Sequence, residues 1–372
     1  MVTILVSVVS SLGAEPHPAA DTEEPQTSTF DNIWKFADWY ENDDNSIIQS
    51  LQFSGRFQLD YALVDADQGR HTEWNIRRFR LGAKAKVFGQ FTLHGEVELN
   101  PQEADPIFTR ITDLYFQWNK SARFKATIGK HAAPFTMDGS TSSKELLTID
   151  RSNLTNNFWF TNEYLPGLSI SGTPENWNYQ AGVYSTGAAN RGFGEFNGSV
   201  FGLFVAGYDF AKRLGVEEAV LAANYVYQHP DEDNSFTRNL ENILSINFEL
   251  DAGNWGLRTD LAAATGFAGQ SNLWGTMVMP FYNFDDNLQF VGRYTFLASR
   301  DVNGVRLNRY ERQLVSGLGD RYSELYFGLN YYFYGQKLKL QSGVQFGDMR
   351  DRADDGGAYS GVAWVTGFRI SW

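Results

Sequence analysis

The chain of 372 residues contains no cysteine, which excludes a disulfide framework and thiolate metal sites. No run of about 20 apolar residues occurs, so a membrane-spanning helix is excluded. The five histidines show no metal-ligand spacing, and no serine lies in a nucleophile-elbow motif. The sequence therefore predicts neither an enzyme nor a bound cofactor. The net charge of −13 also argues against a nucleic-acid partner.

Proline is scarce, with 10 residues, whereas glycine (35 residues) and aromatic side chains (15% of the chain) are abundant. This mixture suits many strands joined by tight turns and does not suit a helical or disordered protein. A strand of alternating polar and apolar residues needs only about 10 residues to cross a membrane. A transmembrane β-barrel is therefore compatible with the absence of long apolar runs.

The stretch at 73–87 shows such alternation clearly. Its apolar positions share one face of a strand, because successive side chains of a strand point to opposite faces: Phe79, Leu81, Ala83, Ala85 and Val87. The opposite face is a column of glycine and cations: Arg78, Arg80, Gly82, Lys84 and Lys86. This pattern indicates a wall between lipid on one side and an anion-containing lumen on the other.

Sixteen strands are predicted along the chain. They lie near 51–63, 73–87, 91–100, 113–118, 124–129, 168–173, 177–185, 200–209, 219–228, 241–250, 255–263, 273–284, 288–296, 325–333, 338–346 and 362–372. An even number with short and long connections is typical of outer-membrane barrels, and about 16 strands are wide enough for an aqueous channel. The fold class is thus an all-β, antiparallel transmembrane barrel. The alternative, a soluble sandwich, would expose large apolar patches.

The N-terminal part precedes the barrel, which is assigned to 46–372. Residues 1–14 resemble the apolar region and small-residue cleavage site of a signal peptide. A cation near Met1 is missing, so we expect a start further upstream or a truncated gene model, and the alternative is a buried N-terminal strand. Residues 15–45 are expected to form a leader or linker, because 15–29 is rich in Pro, Glu, Asp and Thr.

The alternation stops between His131 and Gly167, a stretch too long for a simple turn. Ser142 and Glu145 have the spacing of a capping box, which predicts a short helix there. Its N-terminus, the hydroxyl of Ser143 and the ammonium of Lys144 could converge on an anion. An ordinary extracellular loop with a solvated Lys144 is the alternative.

Three segments carry a family resemblance. They are NIRRFRLGAKAKVFG at 75–89, IGKHAAPFTMDGSTSSKELLTIDRS at 128–152 and GLNYYFYGQKLKLQSGV at 328–344. With them the chain resembles the phosphate-selective porin O and P family. The resemblance implies a trimeric, sixteen-stranded channel in the outer membrane of a Gram-negative-type bacterium. It further implies an inward-folded third loop that narrows the channel and an arginine ladder that guides phosphate or polyphosphate.

Some residues take on roles through this resemblance. Arg77 and Arg78 sit where the family has paired arginines, and Lys144 and Arg151 fall within the motif of the constriction loop. Asp150 stands where the family commonly has glutamate. By the alternation of its strand Arg77 would point outward, which conflicts with the family match that pairs it with Arg78. A β-bulge at this point would resolve the conflict.

The predicted anion-binding residues combine the family motif with the cations on polar strand faces. They are Arg56, Arg77, Arg78, Arg80, Lys84, Lys125, Ser143, Lys144, Arg151 and Arg293. Further cations with the same parity are Lys86, Lys339 and Arg369. For each strand cation, a salt bridge within the lumen is the alternative role. The expected partners are small anions, above all phosphate, and the lipid of the outer membrane.

The turn at Gly89 allows a register to be predicted. It sets Arg80 beside Glu98, Lys84 beside His94 and Arg78 beside Asn100. Arg80 would then be neutralised, whereas Arg78 would stay available to an anion. The mixed charge leaves a general or sugar-permeating porin open as an alternative function. A membrane lipase is disfavoured, because His94 lies on the polar parity, away from lipid.

Overall fold

The computed structural model describes residues 28–103, 105–159, 164–186, 191–194, 200–231 and 237–372. Within them a short strand, β1 (Asp38–Glu41), precedes sixteen longer strands. These are β2 (Ile48–Ala66), β3 (Gly69–Val87), β4 (Phe91–Leu99), β5 (Phe108–Ser121), β6 (Phe124–Ala132), β7 (Tyr164–Gly172), β8 (Trp177–Ser185), β9 (Val200–Asp209), β10 (Glu218–Gln228), β11 (Leu240–Ala252), β12 (Trp255–Gly266), β13 (Leu273–Asn283), β14 (Leu288–Ser299), β15 (Arg321–Tyr334), β16 (Leu338–Arg350) and β17 (Tyr359–Ser371).

The sixteen strands β2 to β17 form a closed antiparallel barrel. Each pairs with the next along the chain, and β17 pairs with β2 to close the sheet. The connections at one end are short, as between β11 and β12, whereas those at the other end are mostly long. The predicted fold class and all sixteen predicted strands are confirmed.

Four short helices accompany the strands in the described part of the chain. They are α1 (Thr29–Trp34), α2 (Met137–Ser140), α3 (Asn153–Phe158) and α4 (Ala211–Leu214). Two single turns of 3₁₀-helix lie at Lys35–Ala37 and Glu311–Gln313. No helix of the described residues is long and apolar enough to cross a membrane.

The two faces of the barrel wall differ as the alternation predicts. On β15 the outward side chains Leu325, Phe327 and Leu329 are each about half exposed, at 47–51%. Their neighbours Glu324 and Asn330 point inward and are 1% exposed. The same pattern on the other strands gives a continuous apolar outer surface, which a barrel can keep only against lipid.

The inward face is itself divided into an apolar and a charged part. Strands β8 to β14 contribute buried apolar side chains, among them Tyr184, Phe201, Leu203, Met277 and Leu297. By contrast, β2 to β5 and β14 to β17 contribute buried charged side chains: Arg56, Asp60, Arg78, Arg80, Glu96, Glu98, Asp113, Arg293, Glu324, Lys339 and Arg369. Strands β10 to β12 add the buried Asp260 and a cluster in which Arg258 pairs with Glu218, Glu249 and Asp251, so charge is not confined to one side of the lumen.

The segment before the barrel packs against the seam between β2 and β17. The indole of Trp34 donates a hydrogen bond to the carbonyl of Ser371 (2.7 Å), and Trp39 stacks on Phe53. The predicted leader at 15–45 is thus folded from residue 28 onward. The predicted signal peptide at 1–14 lies outside the described residues, and the domain boundaries remain a prediction.

Candidate functional site

The long connection between β6 and β7, described for residues 133–159, is fixed by its two helices. The side chain of Thr136 caps α2, and the side chain of Ser152 caps α3. The backbone N–H of Met137 donates to Asp260 Oδ2 on β12 (2.8 Å). Leu154 and Phe158 of α3 are buried in the apolar core. We call this segment the β6–β7 connection.

The predicted helix at Ser142 is wrong, because residues 143–145 form a turn between α2 and α3. The carbonyl of Leu146 accepts hydrogen bonds from Lys339 (2.8 Å) and Gln341 (3.1 Å). The carbonyl of Leu147 accepts one from Asn330 (2.7 Å). Side chains of the barrel wall thereby occupy carbonyl oxygens that a helix would pair with its own N–H groups.

Six arginines surround one cavity of about 220 Å³ near the end with long connections. They are Arg77, Arg110, Arg151, Arg306, Arg309 and Arg312. The other lining residues are Asp150, Thr155, Asn156, Trp159 and Asn308, so Asp150 is the single carboxylate of the lining. We call this space the arginine cavity. It joins residues of β3, β5, the β6–β7 connection and the connection between β14 and β15.

The electrostatics of the arginine cavity centre on Asp150. Arg77 Nε lies 3.3 Å from Asp150 Oδ1, and both side chains are largely buried. Burial alone would raise the pKa of Asp150, but Arg77, Arg309 and Arg78 outweigh it and lower this pKa below its usual value. Repulsion from Arg77, followed by burial, lowers the pKa of Arg309. The charged form of the Asp150 carboxylate is thus stabilised by several nearby arginines.

Two β-bulges turn arginines into this cavity. The register of β2 with β3 slips between Gln58 and Leu59, so that Arg77 is the extra residue. This confirms the bulge that the sequence required. A second slip, in the pairing of β4 with β5, brings Arg110 opposite Glu98 and its Nε within 2.7 Å of Glu98 Oε2.

A second group of predicted residues meets deeper in the lumen. Arg56 donates to the hydroxyl of Ser143 (2.6 Å) and pairs with Glu96 at 3.4 Å. Lys144 donates to the main-chain oxygen of Trp372 (2.8 Å). Burial and then the nearby Arg56 lower the pKa of Lys144 to about 8, although Glu96 opposes this shift. Lys144 is therefore not the solvated loop lysine of the alternative interpretation.

The register predicted around Gly89 is correct for two of its three pairs. Arg80 pairs with Glu98, and Lys84 lies opposite His94. Arg80 is fully buried, with Glu98 at 3.3 Å and the hydroxyl of Tyr164 at 2.6 Å, so its predicted neutralisation is confirmed.

The pairing of β3 with β4 ends at Phe79 and Leu99, so the predicted pair of Arg78 with Asn100 is not formed. The expectation that Arg78 stays available is also wrong. Arg78 is 3% exposed and donates to Gln58 Oε1 (2.8 Å).

Of the remaining predicted cations, Arg151 belongs to the arginine cavity, and Arg293, Lys84 and Lys125 lie apart from it. Arg151 lines the cavity, and its Nε donates to the carbonyl of Asp138 (2.7 Å). Arg293 is buried against Glu324 at 2.8 Å. Lys84 is exposed and Lys125 is half-buried, and both lie near the end with short turns. The anion-binding role of each predicted residue remains a prediction.

Sequence reasoning missed Arg110, Arg306, Arg309 and Arg312. The last three form a visible signal, RLNRYER at 306–312, in which arginines recur every three residues. This stretch lies in the connection between β14 and β15, which received no role because it has no alternation. Arg110 was missed because only a bulge gives it an inward direction.

A family comparison decides the identity of this barrel. The model of the family described as phosphate-selective porin O and P matches residues 51–254. The chain belongs to this family. The match covers more than half of the sequence, including β3 with Arg77 and Arg78 and the whole β6–β7 connection. No match was found among curated protein sequences.

Solved structures similar to this porin have the same barrel fold. OmpF of Salmonella typhi, in a complex with daunomycin, is 12% identical, with a TM-score of 0.62 over 90% of this chain and 99% of that one. OprB of Pseudomonas putida is 9% identical, with a TM-score of 0.60 over 87% and 94%. The trimer form of OmpT of Vibrio cholerae is 14% identical, with a TM-score of 0.56 over 87% and 99%.

The family and the apolar outer surface together define an outer-membrane porin, a channel rather than an enzyme. In outer-membrane barrels the short turns face the periplasm and the long loops face the outside. The arginine cavity accordingly lies toward the extracellular end, and Lys84 and Lys125 lie toward the periplasm.

Proposed function

We propose that this porin conducts small oxyanions, with phosphate or polyphosphate as the natural solutes. The observation that carries the proposal is the arginine cavity, whose lining contains six guanidinium groups and one carboxylate, that of Asp150. Guanidinium is always charged and its planar fork matches the oxygens of a phosphate. An anion in the cavity would supply the negative charge that the lining lacks.

We infer that the β6–β7 connection acts as the constriction of the channel. Its carbonyl groups are bound by inward-facing side chains of β15 and β16, which supports a position inside the lumen. An anion leaving the arginine cavity would pass to Arg56, Ser143 and Lys144 before it reaches the periplasmic side. Successive weak sites allow transfer, because each must release the ion to the next.

The wall also contains carboxylates that favour release. Glu96 lies 3.4 Å from Arg56, and Glu98 lies 2.7 Å from Arg110. Their negative charge would keep anion binding weak enough for rapid passage. The subunits are proposed to form a homotrimer, which the trimer form of the similar OmpT supports.

A general or sugar-permeating porin is the second candidate. Trp159 lines the arginine cavity beside Arg151, whose guanidinium lies 4.8 Å from the centre of the indole ring. An aromatic face at this point could contact a sugar ring. The charge balance of the wall by Glu96 and Glu98 also favours weak selectivity.

Reversal potentials in planar bilayers under a salt gradient separate the two candidates. We expect a reversal potential whose sign shows that anions permeate more readily than cations. We also expect phosphate to block the chloride current. Replacing Arg309 and Arg312 together by Gln should weaken the block, whereas Arg70→Gln, at an exposed arginine outside the cavity, should not. Cation preference, or no preference at all, would refute the anion channel.

A further inference from the structure

Arg238 precedes β11 and connects three parts of the extracellular end. Its Nη1 donates to the carbonyl oxygen of Asn157 (2.9 Å) and to Asn157 Oδ1 (2.8 Å). Its Nη2 donates to Gln270 Oε1 (2.5 Å) and to the carbonyl of Gly304 (3.0 Å). One guanidinium therefore ties α3 to two other extracellular connections.

The residues that Arg238 contacts also hold Arg306. The backbone N–H of Arg306 donates to Asn157 Oδ1 (3.0 Å), and its carbonyl accepts from the side chains of Asn153 and Asn157, both at 3.0 Å. Arg306 Nε donates to the carbonyl of Asn156 (3.1 Å). Asn157 Oδ1 is thus a shared acceptor for Arg238 and for the backbone of Arg306.

Gln270 completes this arrangement. Its Nε2 donates to the same Gly304 carbonyl that Arg238 binds, at 3.2 Å. Gly304 lies two residues before Arg306, at the start of the stretch that carries Arg306, Arg309 and Arg312. The path of the β14–β15 connection over α3 is therefore set by Arg238 together with Asn157 and Gln270.

We propose that Arg238 is a positioning residue for the arginine cavity, holding the β14–β15 connection so that Arg306, Arg309 and Arg312 face it. Arg238 is not part of the cavity lining and acts through Asn157 and Gly304. The proposal rests on the proposed anion site for its functional readout. Its structural readout, the order of the β14–β15 connection, does not depend on that site.

The planar fork of arginine is essential to this role. Four acceptor contacts in different directions need several fixed donors, which the single ammonium of lysine cannot reach together. Burial, followed by the nearby Arg306, lowers the pKa of Arg238 to about 9. The same burial would lower the pKa of a lysine at this position, so the channels are measured at acidic pH, where that lysine keeps the positive charge but lacks the geometry. The pair of substitutions then separates charge from positioning.

The test uses a spin label in the full-length porin. The natural chain has no cysteine, so Arg312→Cys introduces a single attachment point on the exposed part of the β14–β15 connection. Label mobility is measured in the otherwise natural background and with Arg238→Lys, Arg238→Gln or Gln270→Ala. Phosphate block of chloride current is measured in channels that carry the same Arg238 or Gln270 substitution but keep Arg312. Arg213→Gln, on the exposed α4 at the other end, is the control.

We expect both Arg238 substitutions to mobilise the label and to weaken phosphate block about tenfold, with the chloride conductance retained. Gln270→Ala, which removes one acceptor, should give a smaller effect in the same direction. A natural-like block in Arg238→Lys would mean that only the charge matters, and would overturn the proposal. An immobile label in all three variants would also overturn it. A natural channel without phosphate block would refute the anion function instead, while the label would still decide the role of Arg238.

Discussion

Asp150→Asn is the substitution that tests the electrostatics of the arginine cavity most directly. Asn keeps an oxygen acceptor for Arg77, whose Nε lies 3.3 Å from Asp150 Oδ1, and removes one negative charge. The lining would then contain six guanidinium groups and no carboxylate. An anion in the cavity would no longer be repelled, and we expect its binding to become tighter.

The magnitude follows from Coulomb's law. For an anion roughly 7 Å from the carboxylate, at an effective dielectric constant of about 20, one unit charge contributes about 2 kcal/mol. That free energy corresponds to about 30-fold tighter phosphate block, and slower release should reduce the phosphate current. Salt reduces the effect of exposed charges, so the ratio should be larger at 0.1 M than at 1 M ionic strength.

The assay is phosphate block of single-channel chloride current, with Asp67→Asn as control, because Asp67 is an exposed carboxylate in the turn between β2 and β3. Unchanged or weaker block in Asp150→Asn would refute the assignment of the cavity as the anion site.

A pH series gives a second check. The pKa of Asp150 is lowered in the folded porin, so its stabilising contribution is present above about pH 4 and is lost as the pH falls further. Asp150→Asn should remove this acid dependence.

Four further outcomes are expected. Arg309→Ala should lower phosphate affinity more than Arg80→Ala, since Arg309 lines the arginine cavity and Arg80 is neutralised by Glu98, and equal losses in block measurements would contradict this. Arg80→Ala should instead cost about 3–5 kcal/mol of unfolding free energy in urea titrations, because a buried pair is broken. Phe158→Ala should destabilise the β6–β7 connection by about 3–5 kcal/mol, seen as faster amide exchange in α3 with the barrel strands unchanged. Burial raises the pKa of Glu311 to about 8, so the folded porin should lose about 1.4 kcal/mol per unit as the pH rises from about 4.5 to 8, and Glu311→Gln should flatten this dependence.

The barrel could be predicted from sequence because its signal is local. Alternation with a period of two is present within each strand, and a closed barrel needs nothing more than an even set of such strands with one face apolar. The parity of Leu325, Phe327 and Leu329 correctly predicted their outward direction. The pairing of Arg80 with Glu98 was predictable for the same reason, since a tight turn fixes the register of its two strands.

The site was less predictable because it depends on departures from regularity. Beyond a bulge, the alternation of inward and outward side chains shifts by one residue. The inward direction of Arg110 could therefore not be predicted from the alternation of its strand. The helix predicted at Ser142 had suitable local capping residues, but Lys339, almost 200 positions away, binds the carbonyl of Leu146 instead. Contacts over such separations have no local pattern in the sequence.

The distribution of counter-charges explains why the loops, rather than the wall, define the candidate site. On the wall, cations and carboxylates come from paired strands: Arg80 and Arg110 share Glu98, and Arg293 pairs with Glu324. Where the pairing of neighbouring strands places such partners side by side, their charges largely cancel. A connection is free of that register and can bring arginines from distant parts of the chain around one carboxylate. The excess positive charge therefore accumulates where α3 and the β14–β15 connection meet, and anion selectivity should depend on how firmly these two segments are held together.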